Sequence, residues 1–519
     1  MSQERRPGEL NALELARWWW RQLTSMRTAL ILLFLLAVAA IPGSVVPQRN
    51  VDALATTRWQ AEHPRLTPIY EWLGLFSVYN SVWFSAIYLL LVISLVGCIV
   101  PRTWKYARAF GAPPPPAPRL LTRMPGHTSY TCAQEPREVQ AQAAAVLRKR
   151  RYRVRPSPAE AEAVEVAAER GHMREVGNLI FHLAILVVLA GFAAGNLFGY
   201  RAGVIVLVGG GFANNLTQYD DFAPGSLFDT DWMEPFSFTV DDFQAEWIRS
   251  GPAAGQARGF VADLEYRTDP DAEPIRYDLK VNHPLAIGGT EIFLIGHGYA
   301  PVITVTDGDG QVAYSGPTVF LPTDQHFRSI GVVKAPDASP AQIGLEGEFY
   351  PTYAFTMETG PFSAFGEMLN PVISMLVWTG DLGMDTGLAQ SVYVLDKAGV
   401  DQVTAEDGSM FRVDLAMGDS IDLPNGLGTV SFDGVERWNR IQISRSPGKF
   451  VALGGVSLAL LGLMMSLFIR PRRVWVRVRR ENDSTVVEVA GLDRSSGGDV
   501  TEELDALVAL LRPEEKETT

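Results

Sequence analysis

The sequence predicts a polytopic α-helical membrane protein with four transmembrane helices, arranged three plus one, and a large β-rich exported domain. Three observations indicate this fold class. Four apolar runs are long enough to cross a bilayer. Arg and Lys residues cluster at one end of each run. A long segment before the last run alternates β-branched stretches with turn signals. Small cytoplasmic α+β elements complete the prediction.

The four apolar runs are the predicted transmembrane segments. Each has close to the roughly 20 residues that cross about 30 Å of hydrocarbon. The first run follows Arg17, Arg21 and Arg27 but lacks a clear small-residue cleavage pattern, so it is predicted to be an uncleaved anchor. The predicted spans are residues 28–46, 83–100, 177–199 and 449–469.

The positive charges predict the topology, because Lys and Arg are enriched in cytoplasmic loops. All four basic clusters fall on one side, so both termini are predicted to be cytoplasmic and the membrane to be the cell membrane. The cytoplasmic parts are then a tail (1–27), an α+β module with a Pro-rich hinge at 112–118 (101–176) and a hairpin-helix tail (470–519). The exported parts are a loop (47–82) and the β-rich domain (200–448).

Charge and cysteine content narrow the possible partners. The segment 200–448 holds 34 acidic against 13 basic residues, a net charge of −21, whereas the whole chain carries −13. This asymmetry is typical of an exported acidic domain and argues against a nucleic-acid partner. The two cysteines, Cys98 and Cys132, lie outside that segment. A process that requires thiol chemistry there needs a thiol-reducing partner.

The β-rich segment is predicted to form an antiparallel sandwich or barrel. Turn signals such as Asp307-Gly308-Asp309-Gly310 and Asn425-Gly426 separate short β-branched and aromatic runs, of which Glu291–Ile295 and Val302–Thr306 are examples. Strands separated at this spacing are typical of antiparallel sheets.

The cytoplasmic segments show helix and strand patterns of their own. An acidic pair, Asp499 and Glu502, resembles a capping box that begins a helix ending at Leu511. The other predicted elements are strands at 127–132, 152–155 and 163–168, a helix at 136–150, and a hairpin with strands at 474–478 and 485–489.

The third span contains the first candidate functional residue. His182 is the only histidine in the four spans, and a polar ring at membrane depth requires a compensating partner or ligand. A hydrogen bond across the helix bundle is one explanation, and coordination of haem iron is the other. Gly191, Gly195 and Gly199 form a small-residue stripe, and Gly191 lies about 180° from His182 on the helix, so another helix is predicted to pack there.

No Walker loop, HExxH, CxxC or nucleophile-elbow motif is present to suggest an ordinary enzyme. A series of other motifs runs along nearly the whole chain: Ser25–Ala29, Ile41–Pro47, Trp83-Phe84 with Cys98, Gly177–His182, Val281–Leu285, Pro447-Gly448 and Arg470–Trp475. In this order the motifs resemble the ResB family, also called CcsB, a membrane component of System II cytochrome c biogenesis.

The resemblance implies a function and a set of partners. Such a protein pairs with a CcsA (ResC) type membrane protein, carries or presents haem b across the membrane, and serves its covalent attachment to apocytochrome c. It is a non-catalytic or co-catalytic subunit. The family's third-span histidine, a haem axial ligand on the cytoplasmic entry side, maps onto His182. The tryptophan-rich WWD segment belongs to the partner, so Trp18–Trp20 is interpreted as an interfacial aromatic belt in contact with membrane lipid.

The histidines outside the spans are secondary candidates. His283, within Val281–Leu285, and His297 are candidate haem ligands of the exported domain, and His326 and His63 rank behind them. His127 and His172 lie in polar surroundings and are predicted to be solvated.

Two other function classes remain open at this point. A membrane sensor or receptor with a β-rich exported ligand-binding domain fits the layout, although no kinase or cyclase signature is present. A small-solute transporter is less favoured, because four spans without inverted repeats differ from the usual transporter architecture.

Overall fold

The computed structural model describes residues 11–49, 51, 53–158, 160–161, 163–384, 392–495 and 500–512. The chain forms two compact units. The first comprises Met1–Phe192 with Gly448–Thr519, and the second comprises Ala193–Pro447. We call the second unit the β-rich domain.

The helices within the described residues are α1 (Ala12–Leu23), α2 (Met26–Val45), α3 (Ala53–Glu62), α4 (Thr67–Trp72), α5 (Val82–Ala109), α6 (Pro136–Lys149), α7 (Met173–Phe198), α8 (Lys449–Phe468) and α9 (Thr501–Leu511).

In chain order, the first twelve strands of the described residues are β1 (Gly126–Cys132), β2 (Arg153–Pro156), β3 (Val164–Arg170), β4 (Tyr200–Leu207), β5 (Gly211–Ala213), β6 (Asp221–Pro224), β7 (Ser237–Trp247), β8 (Ala257–Arg267), β9 (Ile275–Lys280), β10 (Leu285–Ile287), β11 (Thr290–Thr306) and β12 (Val312–Pro317). The remaining strands are β13 (Leu321–Pro322), β14 (Ser329–Ala335), β15 (Gln342–Tyr350), β16 (Tyr353–Thr356), β17 (Gly360–Ser363), β18 (Val372–Gly380), β19 (Val400–Gln402), β20 (Arg412–Ala416), β21 (Ser420–Leu423), β22 (Gly428–Arg445), β23 (Arg472–Glu481) and β24 (Ser484–Asp493).

Four helices, α2, α5, α7 and α8, are long and apolar enough to cross a membrane. The four predicted spans are confirmed as apolar helices, with shifted ends. Ser25 and Ser81 begin α2 and α5, since their hydroxyl oxygens accept from the backbone N–H groups of Thr28 and Phe84. The second predicted span ends at residue 100, whereas helix α5 continues to Ala109. The charged residues after the apolar run are therefore part of the same helix.

A five-stranded sheet in the order β1-β24-β23-β3-β2 joins two segments that the sequence analysis treats separately. The region before α7 supplies β1, β2 and β3, and the region after α8 supplies β23 and β24. Helices α6 and α9 cover one face through a core that includes Val139, Leu147 and Leu507. The hairpin-helix tail is therefore half of one α+β domain. Glu502 lies in the first turn of α9 as predicted, whereas Asp499 lies outside the described residues.

The Pro-rich segment 112–118, predicted to be a hinge, is bound to the other face of this sheet. The indole N–H of Trp475 donates to the Pro115 carbonyl oxygen (3.2 Å), and Arg477 donates to that of Pro118 (2.7 Å). Arg153 donates to the carbonyl oxygen of Ala112 (2.8 Å). Proline carbonyls without neighbouring N–H groups are good acceptors for such side chains. The segment therefore covers this face of the sheet and is held there by hydrogen bonds, unlike a free linker.

Small residues allow α7 and α8 to pack closely. Gly177, Ala184 and Gly191 are buried on α7, and Gly455 and Gly462 are buried on α8. A Cβ atom at Gly462 would lie 2.6 Å from the carbonyl oxygen of Gly177, so the backbones touch there. The predicted close approach at Gly191 is confirmed, since a Cβ atom there would lie 2.6 Å from the backbone nitrogen of Ala452. Gly195, by contrast, has open space around it.

The β-rich domain consists of antiparallel sheets, as predicted. Seven-, six- and four-stranded sheets and a two-stranded hairpin occur among its described residues. The two longest strands, β11 and β22, pair along their whole length and extend through two separate cores, one around Ile292 and Ile441 and the other around Ile303 and Phe432. A bulge between Leu294 and Gly296 separates the two stretches.

Candidate functional site

His182 lies in the third turn of α7, half-buried, on a face turned away from α8. At about 100° per residue, it is roughly 140° around the helix from Gly177, which contacts α8. The Nδ1 atom lies 2.7 Å from the carbonyl oxygen of Asn178. A carbonyl oxygen only accepts, so Nδ1 carries the proton and Nε2 keeps its lone pair. The ring therefore presents an acceptor nitrogen on the free side of the helix.

This arrangement fits a ligand for a metal ion. Metal-binding histidines usually donate their other ring N–H to a carbonyl or carboxylate, which fixes the tautomer and the ring orientation. Among the described residues no three His, Cys, Asp or Glu side chains come together as a metal-binding group. A metal that arrives within its own macrocycle, as in haem, requires only one or two protein ligands. His182 meets that requirement.

His297 lies in a different environment. It is 5% exposed and stands on β11 opposite Asn439 of β22. Its ring stacks on Phe327 at 4.6 Å and lies 4.8 Å from the rings of both Phe243 and Phe260. Burial, with a smaller contribution from the Arg437 charge, lowers the pKa of His297 to about 3. The imidazole is thus neutral at physiological pH.

Three polar atoms of His297 and Asn439 are buried without a hydrogen-bond partner in the described part of the chain. Within the described residues, Nε2 of His297 and both amide atoms of Asn439 make no hydrogen bond. The aromatic rings around His297 leave no open face for a porphyrin to approach. His297 fits a position in the domain core better than a haem-ligand role.

His283 is exposed and follows Asn282, which has a positive φ of 64° in the turn after β9. The hydroxyl of Tyr277 donates to the carbonyl oxygen of Pro284 (3.1 Å) and holds this turn. The His283 ring itself makes no hydrogen bond within the described part of the chain. It is accessible but is not held in one orientation.

The two histidines ranked last by sequence differ from each other. His326 is half-buried, and its Nε2 lies 3.3 Å from the carbonyl oxygen of Ala254, so that nitrogen is already engaged. His63 is exposed, and its Nδ1 lies 3.0 Å from the carbonyl oxygen of Trp59. His63 therefore shares with His182 an Nδ1 that is bound to a carbonyl oxygen and an Nε2 that makes no hydrogen bond to the described residues. Sequence patterns alone did not distinguish His63, because its orientation depends on a main-chain contact.

Helix α1 carries the tryptophans interpreted as an aromatic belt. Trp18, Trp19 and Trp20 are all exposed, and Arg17 and Arg21 lie on the same helix. The N–H of Asn11 is capped by the carboxylate of Glu14 (2.8 Å), which sets the start of the helix. An exposed helix with aromatic and basic residues is typical of a membrane interface.

Comparison with known proteins identifies the family. The sequence profile of the ResB-like family matches residues 26–505. Similar relatives are named cytochrome c biogenesis protein CcsB. The chain is 26% identical to that of Synechococcus sp. strain WH7803 over 66% of this chain and 73% of the relative. It is 27% identical to that of Synechococcus sp. strain JA-2-3B'a(2-13) over 52% and 55%.

A third relative of the same name, from Thermosynechococcus vestitus, is 25% identical over 54% of this chain and 60% of the relative. The chain thus spans little more than half the length of two of these three relatives. The family match, however, includes α2, α5, α7, α8, the β-rich domain and most of the α+β domain. The chain belongs to the ResB-like family.

Proposed function

We propose that this chain is a membrane subunit of a cytochrome c biogenesis system, and that it carries or presents haem b across the membrane for attachment to apocytochrome c. The proposal is supported by the name of its relatives and by one structural observation. Nε2 of His182 makes no hydrogen bond to the described residues and lies on the side of α7 that does not contact α8. When bound, the haem supplies the iron, and the protein supplies a fixed axial nitrogen and an apolar helix surface.

We further propose that a CcsA-type membrane protein completes the site. The outward face of α7 around His182 carries exposed Asn178 and Leu183, which leaves room for a partner helix. The β-rich domain contains no cysteine, so thiol chemistry on apocytochrome c is assigned to other proteins. The chain therefore acts as a non-catalytic or co-catalytic subunit.

The proposed orientation places the α+β domain in the cytoplasm and the β-rich domain outside the cell membrane. The basic residues around α2, α5, α7 and α8 favour this orientation. The acidic excess of the segment 200–448 is consistent with it.

Cysteine labelling tests this orientation. In a cysteine-free background (Cys98→Ala, Cys132→Ser), we expect Glu406→Cys to react with an impermeant maleimide in intact cells. We expect Asp483→Cys, in the turn between β23 and β24, to react only after permeabilisation. Both positions are exposed, so the two variants are matched in accessibility. Reaction of Asp483→Cys in intact cells would reverse the orientation.

Replacing His182 with alanine tests the haem site. The substitution removes the nitrogen ligand without leaving an unpaired charge, so we expect the complex with the CcsA-type partner to insert normally. We expect roughly a tenfold or greater loss of co-purified haem, since a lost iron bond of only about 1.4 kcal/mol has this effect. Added imidazole should restore part of the haem spectrum.

His172→Ala is the matched control, because His172 lies just before α7 and packs near Phe110 at 5.5 Å. It should leave the haem content unchanged. If His182→Ala binds the parent's amount of haem with the parent's spectrum, His182 has only a packing role.

A further inference from the structure

We propose that residues 225–232, which directly follow β6, bind the membrane surface and hold the β-rich domain against the bilayer at the C-terminal end of α7. We call this segment the anchor loop. Its exposed apolar side chains are those of Leu227 and Trp232, and its main chain is bonded to the end of α7. The proposal requires α7 to cross the membrane, but it holds for either direction of crossing and does not depend on haem.

Main-chain hydrogen bonds fix the anchor loop to α7. The backbone N–H of Leu227 donates to the carbonyl oxygen of Leu197 (2.8 Å), and that of Gly225 donates to the carbonyl oxygen of Gly199 (2.8 Å). The last carbonyl groups of a helix have no partner within the helix, so the loop supplies donors that the helix end lacks. A Cβ atom at Gly225 would lie 2.5 Å from the Leu197 oxygen, so glycine permits this close approach. The loop is therefore held at the end of α7 by its main chain.

The side chains of the anchor loop divide between the domain core and the outside. Phe228 packs against the core, with its ring 5.1 Å from that of Tyr200. The ring of Trp232 meets Phe228 edge to face at 6.2 Å and lies 6.2 Å from the ring of Phe198, the last residue of α7. Leu227 nevertheless stays 55% exposed and Trp232 41% exposed. Large apolar side chains that are held in place yet uncovered are typical of a surface with a binding partner.

The length of α7 places its last turn at the edge of the bilayer. The helix has 26 residues, about 39 Å at 1.5 Å per residue, whereas the hydrocarbon layer is about 30 Å thick. Charged Arg174 and Glu175 lie outside the hydrocarbon at the start of the helix. About 20 residues later the hydrocarbon ends, near Gly195. Phe198, and the anchor loop that contacts it, therefore lie at the level of the lipid headgroups.

The chemistry of the anchor loop fits lipid as its partner. Tryptophan is enriched where a bilayer meets water, because its ring is apolar and its N–H finds polar partners there. The indole N–H of Trp232 makes no hydrogen bond to the described residues, so a headgroup oxygen can accept it. Asp229 and Asp231 are exposed between Leu227 and Trp232. Their carboxylates stay in water and do not attract anionic headgroups, so the contact is apolar and shallow.

The strand register supplies a matched control position far from the anchor loop. Tyr200, which begins β4 just after α7, pairs with Arg445, and Arg445 pairs with Thr290 at the start of β11. Strand β11 has 17 residues, about 50 Å at roughly 3.3 Å per residue. Val312 pairs with Thr306 at its other end and is 64% exposed, close to the value for Leu227. The two positions differ in their distance from α7 and hardly in exposure.

Fluorescence quenching by lipid tests the anchor loop. The full-length chain without its two cysteines (Cys98→Ala, Cys132→Ser) receives Leu227→Cys or Val312→Cys, labelled with the polarity-sensitive dye NBD, in phosphatidylcholine nanodiscs. We expect the label at residue 227 to emit at shorter wavelength than the label at residue 312. Phosphatidylcholine with a nitroxide near the headgroup should quench most of the emission at residue 227 and leave that at residue 312 unchanged. Trp232→Ser should lessen the quenching at residue 227, because one anchoring side chain is lost.

Equal emission and equal quenching of the two labels would overturn the proposal. A label at residue 227 that is shielded from water but not quenched by the nitroxide lipid would also overturn it, since protein would then cover the loop. Phosphatidylglycerol in place of part of the phosphatidylcholine should leave the quenching unchanged. An increase with phosphatidylglycerol would contradict the apolar contact, and unchanged quenching in Trp232→Ser would contradict the contribution of Trp232.

Discussion

Gly462→Ala is expected to disrupt the packing of α7 against α8. The added Cβ atom would lie 2.5 Å from the backbone nitrogen of Phe181 and 2.6 Å from the carbonyl oxygen of Gly177. Backbone atoms cannot rotate away as a side chain can, so the helices must separate. We expect a loss of about 2 kcal/mol in the free energy of unfolding, the usual cost of overpacking a close interface.

The same helix provides a matched control in Gly454, which has no atom within 4 Å of an added Cβ. Gly454→Ala should be neutral or stabilising by up to about 1 kcal/mol, because alanine is the better helix former. Unfolding in mixed detergent, followed by tryptophan fluorescence, compares the two variants. Equal stability of the two would show that the close approach at Gly462 does not determine the packing.

The helix interface also affects the candidate site. Contact with α8 through Gly177, Ala184 and Gly191 fixes the rotation of α7, and this rotation turns His182 away from α8. Gly462→Ala should therefore reduce co-purified haem even though it touches no proposed ligand. His182→Ala should reduce haem without the loss of stability. The two variants separate helix packing from iron binding.

His297 is expected to make the β-rich domain sensitive to acid. Its pKa is about 3 in the folded chain, against about 6.5 for an exposed histidine. The unfolded chain therefore takes up the proton first as the pH falls, which favours unfolding. The contribution of His297 to the free energy of unfolding is fully present above about pH 6.5. It decreases by about 1.4 kcal/mol for each pH unit as the pH falls towards 3.

His297→Leu should remove this part of the pH dependence, because leucine has no proton to bind. We compare the denaturant midpoints of the parent and the variant, as full-length proteins in detergent, at pH 7 and pH 4.5. The carboxylates and Arg437 are present in both proteins, so the difference isolates His297. Ile292→Leu, a buried position of β11 without a titratable group, is the control and should keep the parent's pH dependence. An equal dependence in parent and His297→Leu would contradict the explanation.

The buried pair His297 and Asn439 has a further consequence for the haem proposal. Both side chains lie where β11 and β22 pass between the two cores, and their free polar atoms cost stability. A large ligand at His297 would have to displace Phe243, Phe260 and Phe327 from their contacts. Coordination of haem iron at His297 would therefore require this part of the core to open.

The local sequence determined the elements of this protein. Apolar runs of helical length identified α2, α5, α7 and α8, since each is long and apolar enough on its own to cross a membrane. Alternating β-branched residues and Gly- or Asn-rich turns identified the antiparallel strands, because both signals act within a few residues. The same reasoning placed α6 within one residue of its ends, and the strands of the β23–β24 hairpin within four residues of theirs. His182 was identified because a lone ionisable residue in an apolar run is itself a local signal.

Only the tertiary structure decided how these elements combine. The joining of β3 to β23, about 300 residues apart, depends on complementary apolar faces that periodicity does not pair. The Pro-rich segment has the composition of a linker, yet distant Trp475 and Arg477 bind its carbonyl groups. His297 and His63 are chemically identical side chains. One is buried and the other presents a free nitrogen, because neighbours brought together by folding determine burial and hydrogen bonding.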